Sequence, residues 1–252
     1  MADNFLDITD FSIEEYNPAV GSDSGVLLLA SLKADPTVQY VIKSATPELA
    51  CNEFMYHKIA AALGMYTQEV KLIRSTKQFP YAAGIRFAPD ARNLTKEDIA
   101  ASSPNFEANI AFLTLYVILN EEDSQEHYID KDGRLFKLDN AVSFNLQGYQ
   151  VAMLLKASEG IALELLKRGL SFTEYDKYAI ILNLITEHHG SAGRDACLAT
   201  FERFSQIDMD SFDEAIDAVA EMYVDLLGEY YFAFVESRKE LCKQFLSEIQ
   251  TS

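Results

Sequence analysis

Lys43 closes a short run of β-branched and aromatic residues, Tyr40-Val41-Ile42-Lys43, and Glu53 follows inside a helical pattern. Glu121, Glu122, Asp123 and Glu126 crowd one stretch, and Asp139 ends the strand-like run Leu135–Leu138. A cation and several carboxylates are the side chains of ion pairs, divalent-metal sites and phosphate chemistry. Each also has a plainer reading. Lys43 fits a solvated strand end, and Asp139 fits a cap on the next turn. Glu48 is a second acid near Lys43, but it sits in the first helical turn, where it complements the helix dipole. The loop Gly21-Ser22-Asp23-Ser24-Gly25 could turn backbone N–H groups toward an anion, although Asp23 is an awkward neighbour for phosphate.

Other chemistries find less support. Asp130, Asp132, Gly133 and Asp139 match positions 3, 5, 6 and 12 of a calcium-binding helix–loop–helix, but Tyr128 stands at position 1 and strands flank the loop. His188 and His189 are adjacent on a helix, so their rings diverge by roughly 100° and do not share a metal easily. With Gly190 behind them, they read as a helix C-terminus. No Gly-x-Ser-x-Gly occurs, and no histidine lies near Cys51, Cys197 or Cys242 in sequence. Three widely spaced cysteines without a CxxC pair read as reduced thiols of a cytoplasmic protein.

The elements that must position these residues change character near residue 90. Before it, strands are expected at Phe11–Tyr16, Val26–Leu32, Val38–Lys43, Glu69–Ile73 and Tyr81–Phe87. Between the third and fourth lies a helix with Thr46 as its cap, Pro47 in its first turn and Gly64 at its end. Its apolar positions are Leu49, Phe54, Met55, Ile59, Ala62 and Leu63. Residues 88–93 form a connector, and helices dominate beyond it. The apolar stretch Asn105–Leu119 reads as a buried helix. Tyr128–Asp139 reads as a hairpin around Asp130-Lys131-Asp132-Gly133. Residues 150–252 read as helical, with a packed stripe of Phe212, Ile216, Val219, Tyr223, Leu226, Tyr230 and Phe234. The expected class is α+β in two parts. Residues 1–90 form a small antiparallel sheet with one long helix, and residues 91–252 a mainly helical lobe.

The chain has 252 residues and a net charge of −18, with 49% hydrophobic residues, enough for a sizeable core. Acid outweighs base in both parts, by 21 to 12 over residues 1–150 and by 18 to 9 over the rest. Without a basic cluster, nucleic acid and anionic membrane surfaces are poor partners. The longest apolar run, Ile110–Leu119, is half the length that crosses a bilayer, so no membrane insertion is expected.

The order of these pieces resembles the protein-kinase-like fold, and within it the HipA-like kinases and the related phosphatidylinositol-kinase branch. The matching residues are Ile42-Lys43, Asn52-Glu53-Phe54, Leu63-Gly64, Ile85-Arg86-Phe87, Phe112-Leu113 through Leu119-Asn120, and Asp130-Lys131-Asp132-Gly133 through Leu138-Asp139. They span residues 11–145; the remainder agrees only in being helical. The resemblance implies a bilobal fold with ATP and Mg²⁺ as cofactors and either a protein or an inositide as acceptor, and the lack of a basic membrane-facing patch favours a protein serine or threonine. It makes Lys43 the phosphate-binding cation, Glu53 its aiming partner and Asp139 a metal ligand. Gly21, Ser22, Ser24 and Gly25 would cover the phosphates, and adenine would lie against the connector from Phe87 to Pro89.

The catalytic loop departs from the family pattern, which has an Asp and, five residues later, a metal-binding Asn. Here the stretch reads Asn120-Glu121-Glu122-Asp123-Ser124-Gln125-Glu126-His127. One register puts Glu121 at the Asp position and Glu126 at the Asn position. Another takes Asp123 as the base, with His127 or Tyr128 opposite the Asn. The departure leaves two expectations open, an active phosphotransferase and a pseudokinase that binds or regulates.

Overall fold

The computed structural model describes residues 4–15, 26–44, 47–74, 82–120, 127–137, 143–144, 175–223 and 225–251. Five strands of the first part follow the alternating and β-branched runs. They are β2 (Phe11–Glu15), β3 (Val26–Leu32), β4 (Gln39–Ser44), β5 (Val70–Arg74) and β6 (Ala83–Arg86). A sixth, β1 (Phe5–Asp7), is not among the expected strands, since three residues are too few to show a period. The six form one sheet in the order β1-β5-β6-β4-β3-β2. Every pairing is antiparallel except β1 with β5, so the sheet is not wholly antiparallel as expected.

Helix α1 (Pro47–Ala62) runs between β4 and β5 and packs on the sheet. Gly64 lies just beyond it with a left-handed φ of 69°, a conformation glycine adopts without strain. The apolar spacing suggested one buried face, yet residues 50–57 are all buried. The reason is a second layer. One core unites α1 with the apolar faces of the helices from the second part, while a smaller cluster around Phe11, Leu28, Tyr40 and Ile73 fills the other side of the sheet. Three polar residues of α1, Asn52, Glu53 and His57, are thereby taken out of water.

Strand β7 (Arg92–Asn93) leaves the connector and joins β8 (His127–Ile129) and β9 (Leu135–Lys137) in a small antiparallel sheet. Helix α2 (Phe106–Ile118) is buried through Ile110, Phe112, Leu115 and Ile118. It packs on α3 (Tyr175–Ser205), which is broken at Gly190, where φ is 66° and ψ is −154°. The apolar stripe of the last segment is buried at Phe212, Ile216, Val219, Tyr230 and Phe234. It is shared between α4 (Asp213–Met222) and α5 (Asp225–Thr251). The two helices meet at Gly228, where a Cβ would stand 3.0 Å from the Ile216 carbonyl oxygen. Among the described residues, no helix is long and apolar enough to cross a membrane.

Candidate functional site

Lys43 lies in the middle of the sheet, opposite Leu27 of β3 and Ala83 of β6. Only 6% of it is exposed, and its Nζ stands 3.6 Å from Glu53 Oε2. Glu53 is fully buried, and its other oxygen lies 3.1 Å from His57 Nε2. Their i, i+4 spacing puts both side chains on one face of α1. His57 Nδ1 in turn hydrogen-bonds Thr67 Oγ1 beyond the helix. A carboxylate removed from water is costly unless paired and hydrogen-bonded, and Lys43 and His57 meet that need. One residue earlier, buried Asn52 accepts a 2.6 Å hydrogen bond from the Tyr231 hydroxyl of α5.

The hairpin leading to Asp139 is held by Asn109 of α2. Its Nδ2 donates to the carbonyls of Asp98 and Gly133 at 3.0 and 3.2 Å, and its Oδ1 accepts from the Leu135 N–H at 2.9 Å. Within the turn, Asp130 accepts from the N–H groups of Asp132 and Arg134. The Arg134 guanidinium bonds both Asp130 and Asp132 and lies over the Tyr66 ring. Burial raises the Asp130 pKa, but hydrogen bonds from Arg134, Tyr66 and Asp132 outweigh it and hold the carboxyl below its ordinary range. Among the described residues, no group of three His, Cys, Asp or Glu side chains is placed to hold a metal.

His127 opens β8 opposite Lys137 of β9, with its ring centroid 5.6 Å from that of Tyr116. Lys137 is fully buried and sets its Nζ 5.3 Å from the centroid of the same tyrosine. Just before the acidic stretch, Asn120 takes a left-handed φ of 52°, and its Oδ1 accepts a 2.8 Å hydrogen bond from Lys177. In the connector, the Phe87 N–H donates to the Gln39 carbonyl at 2.8 Å and Pro89 has none, which leaves Ala88 the remaining N–H of the three. His188 and His189 end the first half of α3, as expected of a helix C-terminus. Burial, then the neighbouring His188, lowers the His189 pKa.

Of the residues proposed from sequence, the structure brings Lys43 and Glu53 together. It sets His127 in the second sheet and Phe87 and Pro89 in the connector. Gly21, Ser22, Ser24, Gly25, Glu121, Asp123, Glu126 and Asp139 lie outside the described residues, as does the side chain of Glu48. Three residues around the site, His57, Tyr231 and Lys137, are absent from the sequence-based expectations, and Asn52 enters them only within the Asn52-Glu53-Phe54 match. The i, i+4 spacing of Glu53 and His57 was visible in sequence, as was a lysine inside an apolar strand. Nothing local pointed from Asn52 to Tyr231.

The sequence matches no protein-family profile and no curated protein. In three dimensions, the chain is similar to the crystal structure of a Helicobacter pylori proinflammatory kinase, CtkA. The TM-score is 0.60 at 15% sequence identity, over 98% of this chain and 99% of that one. The chain therefore has a bilobal, kinase-like α+β fold, with a curled N-terminal sheet and a mainly helical C-terminal part.

Proposed function

We propose that this chain is an ATP- and Mg²⁺-dependent phosphotransferase of the HipA-like class, acting on protein serine or threonine in the cytoplasm. The observation that carries the reading is the buried Lys43–Glu53 pair in a kinase-like fold. A buried ion pair is a poor device for stability, since apolar residues of similar volume often do as well. It is an effective device for holding a cation at a fixed point, and a nucleotide phosphate needs that. Lys43 binds the α- and β-phosphates, and Glu53 aims it. Gly21, Ser22, Ser24 and Gly25 cover the phosphates, and the Phe87–Pro89 backbone receives adenine through the Ala88 N–H. Bound Mg²⁺ neutralises charge on the phosphates; Asp139, with Glu126 or His127, would hold it. Asp123 or Glu121 orients the acceptor hydroxyl. Buried Lys137, two residues before Asp139, adds a positive charge to a segment crowded with acids. The net charge of −18 disfavours anionic lipid surfaces and supports a protein acceptor over an inositide.

Isothermal titration with ATP, in Mg²⁺ and in EDTA, beside Lys43→Ala, tests the reading. Mg²⁺-dependent binding that disappears in the variant supports it, and phosphoryl transfer should then vanish in Asp139→Ala. No binding under either condition overturns the nucleotide site.

The second reading is a pseudokinase, a binding or regulatory module on the same fold. It is favoured by the run from Asn120 to His127, which restores the Asp-to-Asn spacing in neither register. Turnover that depends on Asp139 excludes it.

A further inference from the structure

We propose that Tyr231, on the C-terminal helix, is a positioning residue for Glu53, so that α5 sets the geometry of the Lys43–Glu53 pair; as a regulator of nucleotide binding, it rests on the function proposed above. Tyr231 and Asn52 are both fully buried and 179 positions apart, and the phenol donates to Asn52 Oδ1 at 2.6 Å. Asn52 and Glu53 are consecutive on α1, so their side chains leave the helix about 100° apart. A bond that fixes one therefore fixes the roll of the helix that presents the other. Lys43 meets Glu53 from the sheet, and Tyr231 holds Asn52 from the helical side.

The phenol itself has little freedom. Its ring packs edge-on against Phe144 at 5.1 Å between centroids, and Phe144 packs likewise on Phe234 at 5.3 Å. Phe144 is fully buried with a left-handed φ of 66°, an unusual conformation for a bulky side chain that persists only where the surroundings dictate it. Those surroundings are visible. Its N–H donates to the Leu119 carbonyl at 2.8 Å, and its own carbonyl accepts from the Tyr230 hydroxyl at 2.8 Å. Adjacent tyrosines of α5 thus grip the helix carrying Glu53 and a residue five positions beyond Asp139. A partner or modification that shifts α5 would act on the ion pair through this contact.

Tyr231→Phe tests the proposal, since it deletes the hydroxyl and keeps the ring. The readout is the imidazole signal of His57, which touches Glu53, in protein labelled at its four histidines and assigned with His57→Gln. The expected result is a displaced His57 signal in Tyr231→Phe and in Asn52→Ala. ATP binding should weaken about three- to tenfold, the scale of one lost buried hydrogen bond. A Glu53→Gln background should erase the effect on ATP. A melting point that drops while the His57 signal stays at its wild-type position overturns the proposal, because a merely stabilising bond would behave so. If the wild type binds no ATP, the nucleotide reading falls, and the His57 signal alone still decides the role of Tyr231.

Discussion

Glu53 Oε2 stands 3.6 Å from Lys43 Nζ, with the lysine side chain 7% exposed and the glutamate fully enclosed. Removing one partner from such a pair strands the other charge, which costs about 3–5 kcal/mol. Glu53→Gln and Lys43→Met should each lower the urea midpoint strongly. The double variant should recover most of that loss while remaining unable to bind ATP. A double variant as unstable as the sum of the two singles would show that the pair is not coupled.

Asn109 supplies three hydrogen bonds that join the segment between β7 and α2, α2 itself and the hairpin. Truncation to alanine leaves the Leu135 N–H without its acceptor inside the core. A stranded buried group costs on the order of 1–3 kcal/mol. Asn109→Ala should therefore be destabilised by about that amount, and amide exchange at Leu135 should quicken more than at residues of β4.

Burial pushes the Cys197 thiol up to about 11 and the Cys242 thiol to about 12, and Cys51 is fully buried. Since the thiolate is the reactive form, native protein at about pH 8 should resist an aromatic disulfide reagent. All three thiols should react once urea unfolds the chain. Rapid labelling of native protein would mean that the core opens readily around them.

Asp98 is 8% exposed and receives two hydrogen bonds from the Arg92 guanidinium and two from Thr95. Arg92 chiefly holds its carboxyl well below the usual range, against the upward pull of burial. A depressed folded pKa contributes stability that is complete above the unfolded value of about 3.9 and is lost as pH falls toward the folded one. Wild type should therefore exceed Asp98→Asn in urea midpoint at neutral pH, and the gap should narrow below about pH 4. A gap that is constant down to pH 2.5 would refute the linkage.

Much of the site's framework was legible locally. The β-branched run ending at Lys43, the Pro47 start and Gly64 stop of α1, and the Asp130–Gly133 turn each state their conformation within a few residues. The departures come where neighbours override local pattern. Phe5–Asp7 is a strand because β5 offers it a parallel edge, not because three residues specify one. The apolar stripe after Phe212 runs at helical steps, yet the chain breaks between α4 and α5 so that they can cross at Gly228. The acids of the hairpin turn, Asp130 and Asp132, are both bonded by Arg134, a partner that their spacing does not specify.

By itself, the sequence determined β2 to β6, α1, α2 and the β8–β9 hairpin and put Lys43 and Glu53 on adjacent elements, because backbone periodicity and caps act over a few residues. Tertiary structure decided that α1 is buried on nearly every side, that Lys137 lies in the core, and that Tyr231 reaches Asn52. These depend on which surfaces meet after the chain folds back over 179 positions. No local pattern encodes such a meeting, since a buried tyrosine looks the same in sequence whether its hydroxyl meets an asparagine of α1 or a backbone carbonyl, as Tyr230 does.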